Sequence, residues 1–262
     1  MARGHTQQFL TALAERQRLV SSADALEIGR DMGLSEGGVR VALHRLESDA
    51  WLKRIRRGLY IVTVPGLPPL HPFVIGSAVA DGAISGWAAL HHHHLTEQIP
   101  RVTEVTTTKR LQGLTVVDGR QLVAFEGERF EVTTVVTSRF FGVEEQWFDN
   151  NRARVFDRER AVLDLFIRPR HFGGIETALE MFEEHGSELD RAKLVKHAIK
   201  LGTASVAKRV GWVLEETGAQ ADLLEPLLAI PATGYSLLDP SRSAHGPQRA
   251  RWHLRENLGP TR

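Results

Sequence analysis

The residues best suited to chemistry are four consecutive histidines, His91 to His94, at the end of a short helical segment. Histidine nitrogens bind zinc, and residues three apart share a helix face, so His91 and His94 could bind one ion. Consecutive side chains point in different directions, however, and no Glu-x-x-His or spaced carboxylate completes a ligand set. We interpret the run as a helix end with histidines at its surface, one or two of them packed inward, and predict no metal site.

Other catalytic patterns are missing from the sequence. The absence of cysteine excludes a disulfide framework, a thiolate nucleophile and a cysteine-ligated zinc. Restriction-type nucleases hold Mg²⁺ with an Asp and a following Glu-x-Lys, which does not occur here. Phosphate-loop, dinucleotide-binding and Gly-x-Ser-x-Gly patterns do not occur either. We therefore predict no enzyme, no catalytic residues and no cofactor; a metal-dependent nuclease is the disfavoured alternative.

Charge is distributed unevenly along the 262 residues, although the total is only +1. Residues 1–64 carry ten basic and seven acidic side chains, a net charge of +3, and residues 65–262 carry −2. The segment 50–60 contains Lys53, Arg54, Arg56 and Arg57 and no acid. A basic patch of this kind is typical of proteins that contact nucleic-acid phosphates, whereas the overall balance says little about function.

The elements that would position this patch begin with two helical segments. Residues 6–18 place Phe9, Leu10 and Leu13 on one face at helical spacing. A second helix is predicted to start at the N-capping pair 21–22 (SS) and to end at Gly33 in a left-handed conformation.

A third helix, over residues 35–49, shows the clearest amphipathic pattern. Ser35 is a suitable N-cap, and one apolar stripe runs along the helix. The stripe consists of Val39, Ala42, Leu43 and Leu46. A two-stranded ribbon is predicted next, over residues 51–62, with its turn at Gly58.

Three helices followed by a basic ribbon is the order of a winged helix-turn-helix domain. The third helix would enter the major groove, and the ribbon, or wing, would lie along phosphates. The candidate DNA contacts are Ser35, Gly37, Arg40, Val41, His44, Arg45, Lys53, Arg54, Arg56 and Arg57. The alternatives are a helical cap with solvated arginines and a winged domain that docks only proteins.

The Pro/Gly-rich stretch 65–69 (PGLPP) predicts a domain boundary. We expect a winged-helix domain over 1–64, a linker over 65–70 and a mixed domain over 71–262, an α+β chain as a whole. In the mixed domain a short helix is capped by Ser85, and an antiparallel meander of about four strands precedes a helix cluster. The predicted strands are 101–108, 114–117, 121–125 and 129–136, with another at 235–238, and the predicted helices are 159–167, 175–185, 189–201 and 204–217.

No apolar run reaches the roughly 18 residues of a membrane span, and the first ten residues lack the apolar core of a signal peptide. We therefore expect a cytoplasmic protein without a membrane partner.

Several short segments together resemble the AbiEi-type antitoxin and transcriptional regulator family. Each segment is weakly specific by itself, but they occur in a consistent order over most of the chain. They are 57–60 (RGLY), 84–91 (ISGWAALH), 95–100 (LTEQIP), 105–109 (VTTTK), 159–164 (ERAVLD), 172–174 (FGG), 208–212 (KRVGW) and 238–241 (LDPS). The four-histidine run is longer than the one or two histidines expected after Ala-Leu in this family.

The resemblance implies a winged-helix N-terminal domain and a C-terminal antitoxin domain that neutralises a toxin. Members of this family are encoded beside a nucleotidyltransferase-like toxin and repress their own operon by binding inverted repeats. The expected function is therefore a DNA-binding autorepressor and antitoxin, whose partners are double-stranded DNA and such a toxin. A ligand-sensing winged-helix transcription factor without a toxin partner is the alternative.

Overall fold

The computed structural model describes residues 3–66 and 68–259, so Leu67 of the predicted linker and the chain ends lie outside the described residues. The helices are α1 (Arg3–Arg16), α2 (Ser22–Asp31), α3 (Glu36–Ser48), α4 (Pro72–Ala80), α5 (Gly86–His92), α6 (Arg158–Ile167), α7 (Ile175–His185), α8 (Arg191–Leu201), α9 (Ala204–Glu216) and α10 (Ala221–Leu228). The strands are β1 (Leu19–Ser21), β2 (Leu52–Arg56), β3 (Leu59–Val62), β4 (Ala83–Ile84), β5 (Thr103–Thr107), β6 (Thr115–Val117), β7 (Arg120–Phe125), β8 (Glu128–Thr134), β9 (Val143–Phe148), β10 (Asn151–Phe156), β11 (Ser236–Leu237), β12 (Gln248–Arg249) and β13 (Leu254–Arg255). The expected mixture of helices and mainly antiparallel sheet, an α+β chain, is confirmed.

The N-terminal segment forms three helices and a small antiparallel sheet with the strand order β1-β3-β2. Local capping sets the helix starts, because Ser21 and Asp24 form a reciprocal capping box and the Ser35 hydroxyl accepts the Gly38 N–H at 3.1 Å. Gly58 turns the β2–β3 hairpin at φ +75°. Strand β1 was not predicted, because its three residues are too few to show a period.

The apolar faces predicted for α1 and α3 form one core. Phe9 and Leu13 of α1 are fully buried, and they pack in one cluster with the α3 stripe and with Leu52 and Val62 of the hairpin. Burial of this stripe leaves the opposite face of α3 exposed, which decides which side chains a partner can reach.

A seven-stranded mixed sheet, in the order β6-β7-β8-β5-β4-β10-β9, dominates the rest of the chain. The predicted antiparallel meander is wrong for its first strand, since β5 pairs with β8 in parallel and with β4 on its other side. Four of the five β5 residues are buried, which suits a central strand, whereas every residue of β6 is exposed, which suits an edge. Strands β4, β9 and β10 were not predicted.

A helix cluster packs beside this sheet, and the four predicted helices are confirmed as α6 to α9. Helix α6 is its centre, with eight of its ten residues buried. Helices α4 and α10 were not predicted; α4 is apolar on nearly every face and therefore has no helical period in its sequence. No helix in the described ranges has the length and apolar character needed to cross a membrane.

Helix α5 begins in a way that the sequence did not indicate. Ser85 occupies the N-cap position, but its hydroxyl accepts a hydrogen bond from Thr106 and does not cap the helix. The first N–H groups of α5 instead donate to buried carboxylates, Gly86 to Asp164 at 3.3 Å and Trp87 to Glu104 at 2.7 Å. The predicted Ser85 cap is therefore wrong, because carboxylates from two other elements take its place.

The N-terminal segment is fastened to the larger sheet. The Asn151 side chain accepts hydrogen bonds from the backbone N–H groups of Arg18 and Leu19 at 3.2 and 3.1 Å. Ile61 of β3 belongs to the larger hydrophobic core, although Val62 beside it belongs to the N-terminal one. The division at residues 65–70 stays a prediction.

Candidate nucleic-acid interface

The exposed face of α3 carries all the helix side chains predicted to contact DNA. Ser35, Gly37, Arg40, Val41, His44 and Arg45 are exposed. Val41, 48% exposed, adds an apolar group to this face. The helix therefore presents cationic, polar and apolar groups together, the mixture that base edges and thymine methyl groups require.

A groove of about 370 Å³ separates this helix from the β2–β3 hairpin. Arg40 and His44 line it from α3, and Arg54 lines it from β2. The remaining lining residues are Ser22, Leu26, Val39, Leu43 and Tyr60. The structure thus brings one predicted wing residue beside two predicted helix residues.

Each of the two arginines in the groove is paired with a glutamate. Arg40 lies 3.6 Å from Glu36, and both side chains are more than 70% exposed. Arg54 pairs with Glu47 at 2.7 Å and lies over the Tyr60 ring, 5.5 Å from its centroid. The Arg40–Glu36 pair is exposed and contributes little, about 0–1 kcal/mol, so another anion can replace Glu36 at small cost, whereas Glu47 is partly buried.

The other basic side chains of the hairpin do not share one environment. Lys53 pairs with Glu126 and Arg56 pairs with Asp81 at 3.3 Å, both acids lying beyond the N-terminal segment. Arg57 is exposed and makes no ion pair with any described residue. From the sequence, the four basic residues of the hairpin were expected to be equivalent phosphate contacts. Their difference could not be seen there, because the acids that pair with Lys53 and Arg56 lie 73 and 25 residues further along the chain.

Arg45 faces a different groove from Arg40. It lies beside Asp49 and Trp51 in a cavity of about 560 Å³ that Thr6 and Leu10 of α1 also line. The predicted contact at Arg45 is therefore separated from the contacts formed by Arg40, His44 and Arg54.

The histidine run packs against the larger core. His93 Nε2 lies 2.7 Å from the Phe156 carbonyl, and the His92 ring lies 5.7 and 5.5 Å from the rings of Phe73 and Phe148. Burial, together with the neighbouring histidines, lowers the pKa of His92 to about 4. His94 at the end of the run is exposed. This is the arrangement expected of a helix end with some histidines packed inward.

One group of side chains in the described ranges has ligand atoms close enough to hold a metal ion, and it lies outside this run. Glu104, Glu131 and His171 place their ligand atoms within 4.8 Å of one another. The glutamates are neighbours across the parallel strands β5 and β8. His171 and the Trp87 N–H bind Glu104, and Arg120 lies 3.7 Å from Glu131, so protein groups already partner both carboxylates.

Neither a protein-family model nor a curated protein matches this chain. Among solved structures, the crystal structure of the RV2827C protein from Mycobacterium tuberculosis superposes on it with a TM-score of 0.57. The superposition covers 97% of this chain and 92% of that chain, at 14% sequence identity. At this identity the similarity shows a shared fold and carries no functional assignment.

Proposed function

We propose that this protein is a DNA-binding transcriptional regulator whose N-terminal segment is a winged helix-turn-helix. The observation that carries the proposal is the groove in which Arg40 and His44 of α3 lie beside Arg54 of the hairpin. In this proposal α3 enters the major groove, and Arg54 and Arg57 contact the flanking phosphates. Gly37 lets the helix backbone approach the DNA closely, because the space where a Cβ would stand has no other atom within 4 Å.

Lys53 and Arg56 have a different role in this proposal. Their ion pairs with Glu126 and Asp81 join the hairpin to acids in the larger part of the chain, so at these two positions a carboxylate already faces the cation. Asp81 also pairs with Arg154 at 2.8 Å, which holds the carboxylate in place. In this proposal the phosphate contacts of the wing therefore come from Arg54 and Arg57, which make no ion pair with the described residues of the larger part of the chain.

The salt dependence of DNA binding tests the wing assignment. Replacing Arg54 and Arg57 by Ala should weaken binding to all duplexes alike and reduce the slope of log affinity against log salt by up to about 1.8. Fluorescence anisotropy with the DNA upstream of the gene and with a random duplex measures both effects. The control Arg101→Ala/Arg110→Ala removes the same charge from exposed positions elsewhere, and an unchanged slope in the wing variant contradicts the assignment.

Sequence discrimination tests the helix assignment. Arg40→Ala should lower the preference for the upstream DNA over the random duplex by about tenfold or more, because base-edge contacts carry specificity. The same anisotropy titrations report it. An equal loss for both duplexes would make Arg40 a phosphate contact only.

We further propose, from the resemblance to AbiEi-type regulators, that the protein represses its own operon at an inverted repeat and neutralises a nucleotidyltransferase-like toxin. Co-expression with the neighbouring gene product tests this, with growth rescue as the readout. Rescue should survive Arg54→Ala/Arg57→Ala, since that variant impairs only DNA binding. If the neighbouring product is harmless when expressed alone, the antitoxin role fails and the ligand-sensing alternative takes its place.

A further inference from the structure

A second basic site lies in the larger part of the chain. A cavity of about 200 Å³ opens between the sheet, the C-terminal end of α6 and the turn from α8 to α9. Four arginines, three hydroxyls and one carboxylate supply most of its polar lining. These residues are Arg139, Arg160, Arg168, Arg209, Thr133, Thr203, Ser205 and Asp164, and Thr106 adds a further hydroxyl that already binds Ser85.

The side chains that line this cavity carry more positive than negative charge. Of its four arginines only Arg160 pairs with a carboxylate, at 2.6 Å from Asp164. Arg139 and Arg168 make no ion pair in the described ranges and instead approach hydroxyls, Thr203 at 3.4 Å and Thr133 at 3.1 Å. The side chains that line the cavity therefore carry a net charge of +3, and Asp239, which is not among them, interacts with Arg209. An anion bound here would reduce the cost of burying Arg160 and Arg209, whereas Arg139 is exposed to water.

Two of the guanidinium groups are held rigidly. Arg209 is 8% exposed and donates to the carbonyls of Leu237 and Leu238 at 3.0 Å. Arg160 is 2% exposed, lies over the Phe156 ring at 4.3 Å, and has an Nε without a hydrogen-bond partner. Because these groups cannot turn toward water, their positive charge is fixed at the cavity wall before any ligand arrives.

The start of α9 contributes independently to the same cavity. Thr203, Ser205 and Val206 line it from the first turn, and the Thr203 side chain does not cap the helix. Helix α9 is 13 residues long, and the Val206 and Ala207 N–H groups donate to the Thr203 carbonyl at 3.0 Å. The N–H groups of Ala204 and Ser205, together with the positive end of the helix dipole, are the ones that favour an anion there.

We propose that this cavity binds the phosphate group of a small phosphate ester. Guanidinium forks, hydroxyls and helix N–H groups are the donors that phosphate oxygens require. The volume lies below the roughly 300–1,000 Å³ of pockets that hold drug-sized ligands, so a phosphoryl group on a small body fits better than a dinucleotide. The site is separate from the proposed DNA contacts, and it stands even if the protein binds no DNA.

Isothermal titration calorimetry of the full chain in chloride buffer, with inorganic phosphate and with ribose 5-phosphate, tests the proposal. We expect saturable binding of one molecule per chain and a rise in the unfolding temperature with ligand concentration. Arg139→Gln/Arg168→Gln should weaken binding about tenfold or more; both residues are at least partly exposed, so the fold should survive. The control Arg101→Gln/Arg110→Gln removes equal charge elsewhere and should bind like the wild type.

A second variant, Ser205→Ala, removes one hydroxyl donor without changing the charge and should weaken binding by a smaller factor. The proposal is overturned if neither ligand shows saturable binding, or if Arg139→Gln/Arg168→Gln binds as the wild type does. It is also overturned if this variant lowers the salt slope of DNA binding as Arg54→Ala/Arg57→Ala does, because the arginines would then serve nucleic-acid phosphates.

Discussion

At the scale of single residues, His92 is a half-buried titratable side chain whose surroundings lower its pKa. Its ring is half-buried near Phe73 and Phe148, among other histidines of the same run and His71. Burial comes first among the causes that lower its pKa to about 4, followed by repulsion from His93 and the other histidines. The folded protein therefore holds His92 neutral over a range in which the unfolded chain takes up a proton.

This difference predicts a loss of stability in mild acid. Between about pH 6.5 and about pH 4 the unfolded state binds one more proton at His92 than the folded state does, so the free energy of unfolding falls as the pH falls. Above about pH 6.5 both states are neutral and no stability is lost; below about pH 4 the loss is complete. The free energy of unfolding should drop by on the order of 1–2 kcal/mol between pH 7 and pH 5 from this group. Urea denaturation should show a flatter pH profile for His92→Asn than for the wild type, and identical profiles would contradict this assignment.

At the scale of elements, the start of α5 depends on a glycine and on buried carboxylates from other elements. Gly86 adopts φ +58°, and a Cβ there would lie 1.3 Å from Glu104 Oε2. That oxygen accepts the Trp87 N–H, so it cannot move away without uncapping the helix. The requirement for glycine thus combines a left-handed backbone with a close approach to a side chain.

Gly86→Ala should therefore destabilise the protein more than an ordinary substitution at positive φ. Left-handed backbone alone costs a non-glycine residue about 1–2 kcal/mol, and displacement of the Glu104 carboxylate adds the loss of a charged hydrogen bond, about 1.5–3 kcal/mol. Gly113→Ala is the matched control, because Gly113 has φ +72° and no atom within 4 Å of its Cβ position. Equal midpoints in urea for the two variants would show that the Glu104 contact is unimportant.

At the scale of the whole molecule, the contacts that fasten the N-terminal segment decide whether the proposed DNA reader moves with the larger sheet. Asn151 is 5% exposed and accepts two backbone N–H groups that precede and begin β1. Without that side chain, both N–H donors would lack an acceptor at a partly buried site. Each unsatisfied donor would lower the free energy of unfolding by up to about 3 kcal/mol.

Asn151→Ala should loosen this junction, whereas Asn151→Asp keeps an acceptor in the same place. We expect amide hydrogen exchange in β1 and β3 to quicken about tenfold or more in the Ala variant and much less in the Asp variant. Mass spectrometry of peptides covering residues 17–22 and 58–64 measures this. Wild-type exchange in Asn151→Ala would contradict a role for the side chain in fastening the two parts.

Part of the fold and of the candidate interface could be predicted from the sequence. The exposed α3 side chains and the Ser35 cap followed from spacing over a few residues, and the structure bears out their placement. The pairing of β5 with β8 did not follow, because Thr103 meets Phe130 across an intervening hairpin. The arginine cavity was not predicted either, since Arg139 and Arg209 are far apart in the sequence and come together only where the turn before α9 packs.

Local features could be predicted from the sequence alone: the caps of α2 and α3, the apolar stripe of α3, the turn at Gly58 and the basic character of the hairpin. These depend on hydrogen bonds and side-chain spacings within one or two turns of chain. Tertiary packing brings Lys53 and Arg56 to distant acids and leaves Arg54 in the groove with Arg40. Neither arrangement can be predicted from the local sequence. An ion pair depends on distance in space, and residues 25 to 73 positions apart approach one another only after the sheets and helices have packed.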